Sequence, residues 1–135
     1  MPASPEIRIL IVDDNEQMRI LLRTILEHAN FFNITEAENG EAAWELLKSE
    51  PFDLVITDWN MQQMNGLKLL ERIRETAQTH DIPVIMITIH TEKQFVNKAF
   101  KAGVNNYITK PFDRELVIKK IHMVFDRSSA PSSDE

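Results

Sequence analysis

The 135-residue sequence has no cysteine, three glycines and a single tyrosine. Without cysteine there is neither a disulfide framework nor a thiolate zinc site. So few glycines, beside six prolines, exclude collagen-like and low-complexity chains. Basic charge is also short: 15 Lys and Arg face 21 Asp and Glu, a formal net charge of −6. That balance disfavours a broad phosphate-binding surface, and with it nucleic acid as a partner. No run of about 18 apolar residues could span a membrane, and the start Met1-Pro2-Ala3-Ser4-Pro5-Glu6 lacks the basic and apolar stretches of a signal peptide. The expectation is a cytoplasmic protein with no membrane or nucleic-acid contact. His28, His80, His90 and His122 lie too far apart in sequence for a local metal motif.

What is present is one domain's worth of chain, 43% hydrophobic and 27% charged, enough to bury a core. Five apolar, β-branched runs have strand lengths: 7–12, 33–37, 53–57, 83–88 and 106–109. Ile9-Leu10-Ile11-Val12, Leu54-Val55-Ile56 and Val84-Ile85-Met86-Ile87 are continuously apolar, as strands covered on both faces are, and should form the centre of the sheet. Helical spacing fills the gaps: Met18, Leu21, Leu22, Ile25 and Leu26; Ala43, Leu46 and Leu47; Leu67, Leu70 and Ile73; Phe95, Ala99 and Ala102; Leu116, Val117, Ile121 and Val124. Asn39, Asn65, Asp113 and a Thr91–Gln94 capping box predict helix starts. Five strand–helix repeats imply a parallel sheet with helices on both faces. Residues 1–6 read as an N-terminal extension, 7–127 as the domain, and the Ser- and Pro-containing 128–135 as a disordered tail. The expectation is a chain without a separate output or DNA-binding domain.

In an open α/β sheet, ligands bind beyond the carboxyl ends of the strands. The predicted strands end in Asp13-Asp14, Asp58, Thr88 and Lys110-Pro111. Taken singly, Asp13 or Asp14 could cap a helix and Lys110 could be surface charge. Taken together, three carboxylates need a cation, since two like charges about 5 Å apart repel by roughly 3 kcal/mol at an effective dielectric near 20. Mg²⁺ takes oxygen ligands and works beside phosphate, and a carboxylate can attack phosphorus while a metal, a lysine and a hydroxyl neutralise charge.

These residues carry a family resemblance. Ile9-Leu10-Ile11-Val12-Asp13-Asp14, Asp58-Trp59-Asn60-Met61, Met64-Asn65-Gly66, Thr88, Tyr107 and Lys110-Pro111-Phe112, in that order, resemble the receiver domain of two-component response regulators from about Ile7 to Phe125. Asp58-Trp59-Asn60-Met61 and Glu36-Ala37-Glu38-Asn39-Gly40 are similar to the single-domain chemotaxis regulators within that family. The resemblance implies a flavodoxin-like (βα)5 three-layer sandwich with strand order 2-1-3-4-5, for which this family is a known example; the residue pattern itself reaches only five parallel strands. It implies Asp58 as phosphoacceptor from a sensor histidine kinase, Mg²⁺ held by Asp13, Asp14, Asp58 and the Asn60 backbone carbonyl, and Lys110 and Thr88 on the phosphoryl oxygens. It also implies a cis Lys110-Pro111 bond and a switch in which Thr88 and Tyr107 remodel the face of the fourth helix, fifth strand and fifth helix. The partners implied are the kinase, a target such as a flagellar motor switch protein, and a phosphatase, with the chain a monomer. It would be a phosphoacceptor assisting its own phosphorylation and dephosphorylation rather than an enzyme.

The chain departs from the family pattern in two places. Ile89 replaces a small residue and is expected to narrow access to Asp58, and Gln62 replaces a proline and frees a φ angle. His90 and Asn60 occupy positions that tune acyl-phosphate lifetime in the family. Other classes fit less well. A flavoprotein would need a hydroxyl- and Gly-rich phosphate loop where the negatively charged Asp13-Asp14-Asn15-Glu16-Gln17 stands, and one common phosphatase type needs an Asp where Asn60 stands. A phosphorelay intermediate outside chemotaxis remains open, as does an unphosphorylated docking module, to which Ile89 lends support.

Overall fold

The computed structural model describes residues 3–126; the expected tail 128–135 lies outside the described residues, as do residues 1, 2 and 127. Ten elements alternate strictly: β1 (Ile9–Val12), α1 (Glu16–His28), β2 (Ile34–Ala37), α2 (Gly40–Ser49), β3 (Leu54–Thr57), α3 (Gly66–Glu75), β4 (Val84–Thr88), α4 (Lys93–Lys101), β5 (Asn106–Thr109) and α5 (Arg114–Phe125). All strand pairs are parallel, and the order is β2-β1-β3-β4-β5, the flavodoxin-like order implied by the resemblance. The continuously apolar β1, β3 and β4 are the central strands and are buried throughout, whereas the edge strands β2 and β5 are partly exposed.

Alternation along each strand divides the core in two. Leu10, Val12, Val55, Val84 and Met86 point to one face and pack with Ala43, Trp44 and Leu47 of α2, Leu69, Leu70 and Ile73 of α3, and Ala99 of α4. Ile9, Ile11, Leu54, Ile56, Ile85 and Ile87 point to the other and meet Leu22, Ile25 and Leu26 of α1 and Val117 and Ile121 of α5. Each fully buried Leu or Ile contributes about 2 kcal/mol of transfer free energy, so the sheet centre is the most stable part of the scaffold. Part of the N-terminal extension packs on this core: Ala3 is buried, and its N–H donates to His122 Nδ1 at 3.1 Å.

Asn39, Asn65 and Asp113 cap α2, α3 and α5 through their side chains, as expected. α1 is capped by Asn15 rather than by Asp13 or Asp14, which leaves both carboxylates for other work. The Thr91–Gln94 capping box does not form. Glu92 occupies the N-cap of α4 without a side-chain hydrogen bond, so the start of α4 lacks the local lock of the other helices. Among the described residues, no helix is long and apolar enough to cross a membrane.

Candidate functional site

Parallel pairing continues one residue past the strand ends and fixes the backbone that carries the charged groups. Asp13 N–H donates to Ala37 O at 3.2 Å, Asp58 N–H to Val12 O at 3.0 Å, and Lys110 N–H to Thr88 O at 2.8 Å. The carboxyl edge thereby brings Asp13, Asp14, Asp58, Thr88 and Lys110 together, and the Lys110-Pro111 bond is cis. One carboxylate oxygen each from Asp13, Asp14 and Asp58 lie within 4.8 Å of one another. An all-oxygen donor set of this kind suits a hard divalent cation such as Mg²⁺.

Lys110 is the counter-charge. Its Nζ lies 3.1 Å from Asp58 Oδ2 and 3.3 Å from Asp13 Oδ2, with the three side chains only 16%, 11% and 3% exposed. Burial works against the Lys110 ammonium, but the two carboxylates outweigh it and hold its pKa above the ordinary value. Asp13 goes the other way to most paired carboxylates. Burial, joined by repulsion from Asp58, pushes its pKa up despite a 2.9 Å bond from Asn15 N–H and the pull of Lys110. Asp58 Oδ1 accepts the N–H of Trp59 at 2.6 Å, so one oxygen is tethered to backbone while the other faces the lysine. Asp14 is exposed, at the cluster's solvent side.

Thr88 is fully buried, and its Oγ1 accepts the N–H of His90 at 3.4 Å. His90 joins the groups around the mouth of the site. Its ring stacks on Phe95 at 4.1 Å and meets Trp59 edge-on at 5.6 Å, and its Nε2 lies 3.2 Å from Asn60 Oδ1. The Tyr107 hydroxyl donates to the His90 carbonyl at 2.8 Å. Desolvation, with Glu92 and Asp58 adding to it, pushes the Tyr107 phenol up to about 12, so it stays neutral. Ile89 is 63% exposed, and Gln62 is exposed in the loop after Asp58.

Three features of the site escape a reading of the sequence. Gly66 reads in the sequence as one residue of a motif, yet a Cβ there would collide with the Asp58 carbonyl oxygen. Only glycine lets α3 begin against the Asp58 loop, where Gly66 N–H donates to Trp59 O at 2.8 Å. The neighbouring Gln63 and Met64 adopt φ of 51° and 81°, a left-handed conformation uncommon for such side chains. Arg19 and Glu36, on α1 and β2, reach the Asp13 loop from behind: Arg19 Nη1 donates to Asp13 O at 2.7 Å and its Nε to Glu36 Oε1 at 3.0 Å. The pairing of two surface-patterned charges was the only sequence signal, and many such charges never meet.

Comparison with known proteins agrees with this geometry. The family model described as the response regulator receiver domain matches residues 9–122. A chemotaxis protein CheY homolog of Campylobacter jejuni is 40% identical over 129 residues, covering 95% of this chain and 99% of that protein. Chemotaxis protein CheY-3 of Vibrio cholerae is 41% identical over 120 residues, covering 89% and 92%. Among solved structures, Vibrio cholerae chemotaxis protein CheY4 superposes with a TM-score of 0.82 at 26% identity, covering 88% of this chain and 98% of that one. With the strand order, the acidic edge and the family match in agreement, the chain belongs to the response regulator receiver family, signalling phosphoacceptors closely related to the CheY chemotaxis regulators.

Proposed function

We propose that the protein is a Mg²⁺-dependent phosphoryl switch with Asp58 as the acceptor. A carboxylate oxygen of Asp58 attacks the phosphorus of a phosphohistidine on a sensor kinase. A P–O bond forms, the P–N bond breaks and the imidazole leaves, so Asp58 carries an acyl phosphate. Asp13, Asp14 and Asp58, with the Asn60 backbone carbonyl, would hold the cation. When bound, Mg²⁺ supplies positive charge for the transferring phosphoryl oxygens. Lys110 orients and neutralises the same oxygens from the protein side. The observation that carries this reading is Lys110 Nζ between Asp13 and Asp58, at 3.3 Å and 3.1 Å: a partly buried ammonium between two carboxylates can stay with either one as charge accumulates.

The Thr88 hydroxyl is a donor for a phosphoryl oxygen. Its turn toward that oxygen gives up the long 3.4 Å contact with His90 N–H. The His90 carbonyl in turn holds the Tyr107 hydroxyl, so a shift at Thr88 is felt by β5 and by Phe95 of α4. Output is altered binding on the α4-β5-α5 face. His90 and Asn60, in contact through Nε2 and Oδ1, govern how water reaches the acyl phosphate, and the exposed bulk of Ile89 narrows access to Asp58. The chemotaxis names of the relatives support a flagellar motor switch protein as the target, and a phosphatase would reset the signal. The protein works as a cytoplasmic monomer in this reading.

Intact-mass measurement after incubation with Mg²⁺ and acetyl phosphate tests the chemistry. The parent should gain one phosphoryl group and Asp58→Ala should gain none; a parent that gains nothing while Mg²⁺ still changes Trp59 fluorescence would leave a docking module. Pull-down by motor switch protein with and without phosphodonor tests the pathway. Binding to a second histidine-containing protein instead would indicate a relay.

A further inference from the structure

Behind the acidic edge lies a charged assembly that the phosphoryl chemistry does not itself use. Glu36 on β2 takes two arginines of α1: Arg19 Nε at 3.0 Å on Oε1 and Arg23 Nε at 2.7 Å on Oε2. Arg23 is further tied to Ile34 O at 3.2 Å and to Glu27 at 3.6 Å. Arg19 is the better withdrawn, with a side chain 13% exposed against 34% for Arg23. Arg19 alone of the two continues to the site: its Nη1 donates to the Asp13 carbonyl at 2.7 Å, and its own N–H donates to Asn15 O at 3.1 Å.

The Asp13 carbonyl belongs to the peptide that joins the two adjacent carboxylates. A charge-assisted hydrogen bond to that oxygen fixes the rotation of the peptide plane, and with it the directions in which Asp13 and Asp14 leave the backbone. A guanidinium can make this bond while its Nε holds Glu36, because the planar fork offers donors on separate edges. The lever is anchored in the sheet: Glu36 pairs with Ile11 of β1 in the β1–β2 register. Two arginine hydrogen bonds hold the Glu36 carboxyl below the ordinary carboxylate range against the opposing effect of burial, so the anchor stays charged at neutral pH.

We infer that Arg19, held by Glu36, is a positioning residue that presets the Asp13–Asp14 peptide for a divalent cation. This rests on the cation-binding reading above. The hydrogen bonds of Arg23 go to Glu36 and Ile34 O rather than to the Asp13 peptide, and so it provides the control. Outer partners of metal ligands commonly change affinity by tenfold or more.

The test compares R19A and R23A in the full chain, with three readouts: Mg²⁺ titration by tryptophan fluorescence, hydrogen exchange of the Asn15 amide in cation-free protein, and urea denaturation. Both variants should lose stability. R19A alone should weaken Mg²⁺ binding about tenfold and speed exchange at Asn15, whose amide is held by Asp13 Oδ1; R23A should stay within about twofold of the parent in both. Equal losses of affinity in the two variants would mean general destabilisation and overturn the inference. So would R19A with parental exchange and affinity. If the parent itself does not respond to Mg²⁺, the cation-binding reading fails, and the exchange comparison decides the brace by itself.

Discussion

Arg74 is ringed by neutral acceptors near the amino end of β5, whereas Lys110 lies between two carboxylates just past its carboxyl end. Arg74 spends its fork on Gly103 O at 3.0 Å, His80 O at 3.0 Å, Ile82 O at 2.7 Å and Asn105 Oδ1 at 2.8 Å. It thus ties the last turn of α3 to the loops that enter β4 and β5. Gly103 permits this with a φ of 103°, and a Cβ there would come within 2.9 Å of Arg74 Nε. Burial pulls the Arg74 pKa down, partly offset by Asp81, and no ordinary pH discharges a guanidinium. At Lys110 the dominant partners are charges of the opposite sign. The first arrangement has every partner it needs within the folded chain. The second concentrates carboxylates that a fold alone has no reason to gather, and it is there that the proposed phosphoryl chemistry is located.

Removing the cation from the first end should cost the most. Arg74→Ala leaves the carbonyls of Gly103, His80 and Ile82 without this donor, while Asn105 Oδ1 keeps the Val84 N–H at 2.8 Å. A loss of about 3 kcal/mol in urea denaturation is expected. The phosphorylation rate per folded molecule should stay within about twofold of the parent. A variant with the parental urea midpoint would remove the structural half of the comparison.

Lys110→Ala should show the inverse pattern. Loss of one preorganised donor to a developing negative charge typically slows a reaction by about 10²-fold, so phosphorylation by acetyl phosphate is expected to fall by that order. With Mg²⁺ present the loss of stability should be smaller than for Arg74→Ala, because a bound cation can offset the repulsion left between Asp13 and Asp58. Stopped-flow tryptophan fluorescence follows the rate, and urea denaturation follows the stability. If Lys110→Ala destabilised the protein as much as Arg74→Ala while leaving the rate intact, the two cations would have to exchange roles.

How much of this is legible before folding differs between the two ends. The apolar runs place β1, β3 and β4 at the centre, and the rule for carboxyl ends then gathers Asp13, Asp14, Asp58, Thr88 and Lys110 by topology alone. Caps at Asn39, Asn65 and Asp113 are local in sequence and could be read locally. Arg74 could not: its acceptors at Gly103 and Asn105 lie 29 and 31 residues away, and they become neighbours only once two crossovers have formed. The same holds for Arg19 and Glu36, 17 residues apart. Adjacent Phe31 and Phe32 make the point without charge, one 1% and the other 64% exposed, because apolar composition does not decide which of two neighbours the turn before β2 directs inward.

The smallest effect expected sharpens the comparison most, since it should run opposite to an ordinary loss of contacts. Asp13→Asn keeps an acceptor for Asn15 N–H and removes a buried charge that Asp58 repels, so in cation-free buffer it should stabilise the fold by about 1 kcal/mol. Because folding raises the Asp13 pKa above 3.8, the charged side chain costs stability at neutral pH. As pH falls through the folded value toward 3.8, the native state takes up the proton first and this cost is relieved. Glu36 has the opposite sign: its lowered folded pKa gives stability that is present above the unfolded value and lost as pH falls through the folded one. The gain from Asp13→Asn should therefore be largest near neutrality and shrink in acid, while the Glu36 contribution declines equally in parent and variant. Added Mg²⁺ should close the gap from the other side by stabilising the parent through binding. Urea midpoints at neutral and acidic pH, with EDTA and with Mg²⁺, measure all of this. A variant less stable than the parent in EDTA at neutral pH would mean that Lys110 already balances the acidic edge, and the two ends of β5 would differ in chemistry but not in cost.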